Sequence, residues 1–449
     1  MLPEDALMNG TWTDGKPESG SGKQAYINAR LLNPATGMDE TGAVLTDGEV
    51  IADFGPQLFT NGAPGGIATV DCAGHCLAPG LVDMRVQIRE PGAEHKGTIK
   101  SAGMSATAGG VTTMVCLPNT DPVIEDMSVV EFVARRARLI GLSKIYPYAA
   151  VTKGLEGKEI TEMGVLSQYG ALAFTDGEKA IANAQVLRRA LTYARTFDLL
   201  IIQHPEEPSL ATGVMNSGEM ATRLGLSGIP PVAETIMVER DIRLVELTGG
   251  KLHFAHVSTT GAIDAIRKAK ACGLNITCDT APPYFALNET SVGNYRTFAK
   301  LSPPLRSEED RRAIIEAIKD GTIDAIASDH APQDEDSKRL PFNQAATGGV
   351  GLETLLPVTL DLYHNGHMSV LEALKKVTSA PADLLNLRAG RLETGAPADF
   401  TVFDPELGWQ VTADDLASKA KNTPFDGRPV QGTVLRTVID GRTVYRAND

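Results

Sequence analysis

LLIIQHPEEP (199–208), KLHFAHVST (251–259) and IDAIASDHAP (323–332) decide how this chain is read. Each is a short apolar run, too brief for a helix, that stops at a chemically active side chain: His204, His256 and Asp329–His330. Such a run bounded by turn residues is the pattern of a strand buried on both faces, as in a parallel sheet. In a parallel barrel, the carboxyl ends of the strands are where reactive groups collect.

Working outward, the same alternation extends in both directions. Candidate strands are 80–86, 111–117, 144–151, 171–174, 199–203, 251–255, 275–278 and 323–328. Amphipathic segments such as SVVEFVARRARLIG (128–141) and EEDRRAIIEAIKDG (308–321) lie between most of them. Strands alternating with helices over about 300 residues predict an α/β fold, a (β/α)8 barrel spanning 79–389. Polar residues recur at the expected strand ends: Arg85, Gln87 and Arg89 after the first, Asn119 after the second, Asp176 after the fourth. The flanks differ. Short alternating runs (25–78 and 390–449) predict a small β-sandwich domain assembled from both chain ends. Residues 1–24, rich in Gly, Ser and Pro, read as a flexible arm.

Composition narrows the function. Against 56 Asp+Glu there are 42 Lys+Arg in 449 residues, a net charge of −14, and no basic run, which argues against a nucleic-acid partner. No apolar stretch reaches membrane-spanning length and no secretory leader is evident, so the expected location is the cytoplasm. Five cysteines, odd in number and without CxxC spacing, read as free thiols.

Two imidazoles and a carboxylate are first-choice zinc ligands, so His204, His256 and Asp329 converging at a barrel mouth would suit a metal-activated water. Asp329 would then carry the proton from water to a leaving nitrogen. Arg89, with a rigid guanidinium fork, and Asn119 form a second group suited to an acidic ligand. The glycine-rich stretch at Thr347 and Gly348 would let backbone N–H groups approach it.

The ordered series APGLVDMRVQIREPG (78–92), AGGVTTMVCLPNTDPV (108–123), AFTDG (173–177), QHPEEP (203–208), FAHVST (254–259), SPPLRSEEDRRA (302–313), IDAIASDHAP (323–332) and GGVGLETLLP (348–357) resembles the dihydroorotases of the amidohydrolase superfamily, relatives of allantoinases and hydantoinases. The resemblance implies zinc-dependent, reversible opening of the dihydroorotate ring to carbamoyl aspartate in pyrimidine biosynthesis. It maps substrate contacts onto Arg89, Asn119, Ser302, Gln333, Thr347 and Gly348, and metal ligands onto His204 and His256. It also implies a homo-oligomer.

The chain departs from the family at its first signature. Arg85 and Gln87 stand where the family has a His-x-His metal pair, and arginine has no lone pair to give a metal. Gly177 falls at the family's metal-bridging acid, leaving the neighbouring Asp176 as the only substitute. Two readings stay open. In one, catalysis is lost or weakened, and the chain is a scaffold for aspartate transcarbamoylase or a sensor that binds a small acidic pyrimidine through Arg89 and Asn119 without turnover. In the other, His204, His256 and Asp176 hold a single zinc and the protein is a working dihydroorotase. At most one metal ion is expected.

Overall fold

The computed structural model describes residues 10–13 and 22–448. Eight short strands run at Leu81–Val86, Val111–Cys116, Lys144–Pro147, Phe174–Thr175, Leu200–Gln203, Lys251–Phe254, Ile276–Thr280 and Ala325–Ile326. All are parallel to their neighbours, in one run of three and one of five. Two parallel bridges, Ala149 to Phe174 and Val86 to His330, join these runs at both ends. The sheet is therefore closed. Every residue of the first two strands is buried, because their inner faces fill the barrel and their outer faces meet helices.

The helices form where the sequence supplies caps and one apolar face. In Ala184–Thr196, the Asn183 side chain accepts from the N–H groups of Gln185 and Val186, and Val186, Leu187, Ala190, Leu191 and Ala194 turn inward. Met127–Ile140 is started by Asp126 and stopped by Gly141 in a left-handed conformation, φ 68°.

Both ends of the chain build one smaller sheet of nine strands, in which Phe400–Gln410 pairs with Cys76–Pro79 and the latter with Lys23–Asn33. Its core is shared between the ends: the Tyr26 and Phe400 rings meet edge to face, centroids 4.7 Å apart. Asn33 Nδ2 donates to the Leu392 carbonyl at 2.8 Å, tying the chain into the sheet to the chain leaving the barrel.

One expectation needs correcting. Gly10–Trp12, placed by composition in a flexible arm, is a strand paired antiparallel with Tyr445–Ala447. Trp12 explains it: its ring packs on Tyr445 with centroids 5.2 Å apart, and its Nε1 donates to Thr107 Oγ1 at 3.0 Å. A half-buried aromatic anchor outweighs a glycine-rich context. The rest of that expected arm within residues 1–9 and 14–21 lies outside the described residues. The cysteines are free thiols, buried at 72, 76, 116 and 278 and exposed at 272. No helix among the described residues is long and apolar enough to cross a membrane.

Candidate functional site

The backbone at the barrel mouth carries local strain. Arg89, His256 and Asp329, following strands one, six and eight, have φ of 63°, 39° and 51°. Non-glycine residues seldom adopt this region, and where they do the cost is commonly tied to a site that must aim a side chain.

Arg85 lies at the centre, 3% exposed. Its Nε donates to Asp329 Oδ1 at 2.8 Å and its Nη2 to the Gly177 carbonyl at 3.3 Å. One guanidinium thus spans the ends of strands one, four and eight. Burial pushes the Asp329 carboxyl up to about 6, against the opposing pull of Arg85. Asp329 also borders a cavity of only about 10 Å³, which is at the lower limit for one water.

The two histidines face each other, His204 Nδ1 to His256 Nε2 at 2.7 Å. Nitrogens sharing a tetrahedral zinc would stand roughly 3.3 Å apart, given Zn–N bonds of 2.0–2.1 Å. Here they bond directly to one another, one ring donating and the other accepting. Burial holds His256 well below the usual imidazole value, so it is neutral, and its Nδ1 is buried without a partner. Behind the pair, Glu206 approaches His204 Nε2 at 3.6 Å.

Asp176 does not join them. Its Oδ1 accepts from the Thr152 N–H at 2.9 Å and its other oxygen from the Thr152 hydroxyl. Burial raises its carboxyl above the ordinary range. The expected trio of His204, His256 and Asp176 is therefore not assembled, nor does Asp329 complete it. Among the described residues no three His, Cys, Asp or Glu side chains are grouped so as to hold a metal. The physical reason lies on both sides: Thr152 satisfies Asp176, and Arg85 satisfies Asp329. The donor set does not fit a zinc centre.

The residues expected to hold an acidic ligand are engaged within the protein. Arg89 Nε donates to the Pro332 carbonyl at 3.1 Å, while its Nη2 is buried without a partner. Asn119 Nδ2 donates to Gln87 Oε1 and to Glu178 Oε2, both at 3.2 Å. Gln333 Nε2 donates to the Thr347 carbonyl at 2.7 Å and its Oε1 accepts from Lys96 Nζ at 2.9 Å. Gly348 must be glycine: at φ 115°, a Cβ there would stand 2.8 Å from that of Ala331. Ser302 is half-buried, next to the Leu301 that lines the small cavity at Asp329.

Sequence reasoning missed Lys96, Glu178 and Asn422. Glu178 directly follows Asp176–Gly177 and was visible as an acid at a strand end. Asn422 belongs to the C-terminal stretch, yet its side chain takes the Gln333 N–H at 3.1 Å and donates to the Ala331 and Gly348 carbonyls. Nothing in local periodicity marks such a bolt.

Two buried lysines fasten the segment that carries these residues. Lys300 Nζ donates to the carbonyls of Phe342, Asn343 and Ala345, and Lys338 Nζ to those of Thr297 and Lys300. Burial, then the charge of Lys300, pushes the Lys338 amine down to about 7. A neutral amine still has two N–H groups for two carbonyls. Between pH 7 and the ordinary lysine range near 10.5, the unfolded chain binds the extra proton, so this residue's contribution to stability rises with pH. Relative to Lys338→Met, the wild type should gain about 2 kcal/mol between pH 7 and 9 in urea unfolding.

A family model described as Dihydro-orotase-like matches residues 74–262, and one for the amidohydrolase family matches 247–445. The chain is 47% identical to a dihydroorotase of Anaplasma phagocytophilum, covering 94% of this chain and 95% of that one. A dihydroorotase of Syntrophotalea carbinolica is 45% identical, over 95% of this chain and all of that protein. Among solved structures, the L-hydantoinase of Arthrobacter aurescens superposes with a TM-score of 0.83 at 24% identity, covering 95% and 96% of the two chains. Dihydropyrimidinase from Brevibacillus agri gives 0.81 at 21%, covering 95% of each. These confirm the barrel with its additional β-sheet.

Proposed function

Since the chain belongs to the dihydroorotase family, we propose that it is a member in which the hydrolytic metal centre has been replaced by a fixed internal cation. The observation that carries this is the buried Arg85–Asp329 ion pair. A family hydrolase needs a metal to lower the pKa of water from 15.7 to about 7, and Arg85 offers hydrogen bonds but no coordination. Asp329, engaged by Arg85, is not free to take a proton from water.

What remains is a barrel whose mouth keeps Arg89 and Asn119 and whose hydrolytic half is closed. Such a chain serves pyrimidine biosynthesis as a scaffold in this reading. The natural partner is aspartate transcarbamoylase, whose product, carbamoyl aspartate, is what the family's reaction consumes. That partnership comes from the family resemblance.

The competing reading, a dihydroorotase working on one zinc, is favoured by the relatives' names and by His204 Nδ1 and His256 Nε2 facing each other. One experiment separates them. Protein purified without chelator is assayed for metal and for hydrolysis of dihydroorotate beside an active relative. The scaffold reading expects fewer than about 0.1 zinc per chain and a rate at least about a thousandfold lower. It also expects co-elution with the transcarbamoylase. Near-stoichiometric zinc with chelator-sensitive turnover would establish the working enzyme instead.

A further inference from the structure

Glu178 has no part in the acid grip read from the sequence, yet its carboxylate is bonded to a member of that grip. Its Oε2 accepts from Asn119 Nδ2 at 3.2 Å, and the same amide donates to Gln87 at 3.2 Å. Both N–H groups of the Asn119 amide are therefore used within the protein. Arg89 keeps one guanidinium nitrogen buried and unpartnered, so its charge is balanced through space and not through contact. Glu178 is the foremost group favouring the charged form of Arg89, against the downward pull of burial, with Asp329 second. Arg85 and Arg89 are thus set against Asp329 and Glu178 at the mouth.

We infer that Glu178 sets the ligand class of the mouth: its carboxylate takes the Asn119 donor that a small pyrimidine carboxylate would use and sets a negative charge against it, and so excludes such acids. This rests on reading Arg89 and Asn119 as an acid grip. An incoming carboxylate must face Glu178 and compete for a donor already in use, which is repulsion and lost hydrogen bonding together. Removing the charge while keeping the side-chain volume should convert the mouth from closed to receptive.

The test is calorimetric binding of orotate, an unsaturated pyrimidine carboxylate with no ring amide opened in this assay, and of uncharged uracil, in buffer with chelator. Glu178→Gln should bind orotate at least about tenfold tighter than wild type, with uracil unchanged. Adding Arg89→Met to Glu178→Gln should abolish that gain. A folded Glu178→Gln protein that binds orotate no better than wild type, or gains equally for uracil, overturns the inference. Glu178→Ala guards against the glutamine itself blocking the mouth: no gain there either is decisive against it. Hydrolysis of dihydroorotate by the wild type would defeat the scaffold reading and, since that substrate is itself such an acid, this inference with it, whereas failure of the orotate test alone leaves the scaffold reading intact.

Discussion

Zinc uptake of about one ion per chain is expected when Arg85→His, Gln87→His and Gly177→Asp are combined, against nearly none in the wild type. The geometry makes the exchange local. Arg85 lies in the first strand and Gln87 directly follows its end at Val86, so both stand at the same end of the barrel. Arg85 already touches both the Gly177 carbonyl and Asp329, so ligands placed at 85 and 177 would meet Asp329 without backbone movement. Gly177 has φ of 71°, a region aspartate tolerates better than most residues, and a Cβ there would find nothing nearer than the Asn119 Cβ at 3.5 Å. Without metal, the triple variant has lost the cation that neutralises Asp329 and should melt below wild type. Zinc at a thousand times its dissociation constant would return about 4 kcal/mol, visible as a metal-dependent rise in melting temperature that the wild type lacks. Metal analysis after gel filtration reads the stoichiometry. A folded triple variant with no more zinc than wild type would show that the mouth has lost more than its ligands.

On the scaffold reading, Gly177, Thr152 and Arg85 are also consistent with one another in charge. Gly177 removes an acid that only a metal would have neutralised, Thr152 takes Asp176 into hydrogen bonds, and Arg85 supplies the positive charge that Asp329 still requires. Buried carboxylates without a cation or donors are costly, so the scaffold reading requires that each acid a metal would neutralise be removed, hydrogen-bonded or paired.

This balance was only half visible in the sequence. The barrel was legible because its strands are short aliphatic runs, and because polar side chains at their ends interrupt the pattern at regular places. Arg85 could be recognised as a non-ligand from its chemistry alone. What could not be read is which partner each buried polar group chooses. Asp176 has no sequence signal pointing to Thr152, 24 residues earlier. The clamp of Asn422 on Ala331 and Gly348 joins residues 74 and 91 positions apart. Trp12 falls in a segment whose glycine and serine content outweighs it locally, and only the distant Tyr445 reveals its role. Periodicity reports which face is buried; it is silent on long-range pairing of side chains.

Replacing Arg85 by methionine should cost about 3–5 kcal/mol of folding free energy, since it leaves Asp329 buried without its partner. Side-chain exposure is 3% for Arg85 and 17% for Asp329, so solvent would offset little of the loss. The double variant Arg85→Met with Asp329→Asn should recover most of it. Asparagine is the right second substitution because residue 329 has φ of 51°, where alanine or leucine would add backbone strain of their own. Urea unfolding of the four proteins gives a double-mutant cycle, with an expected coupling of at least about 2 kcal/mol. The cycle separates two accounts of Arg85 that the contact alone does not. If Arg85 has taken over the neutralising task of a metal, its removal is severe and is relieved by removing the charge it serves. If it merely fills space vacated by two histidines, methionine of similar length should be tolerated, the coupling should fall below about 0.5 kcal/mol, and the stability of Asp329→Asn should be independent of residue 85.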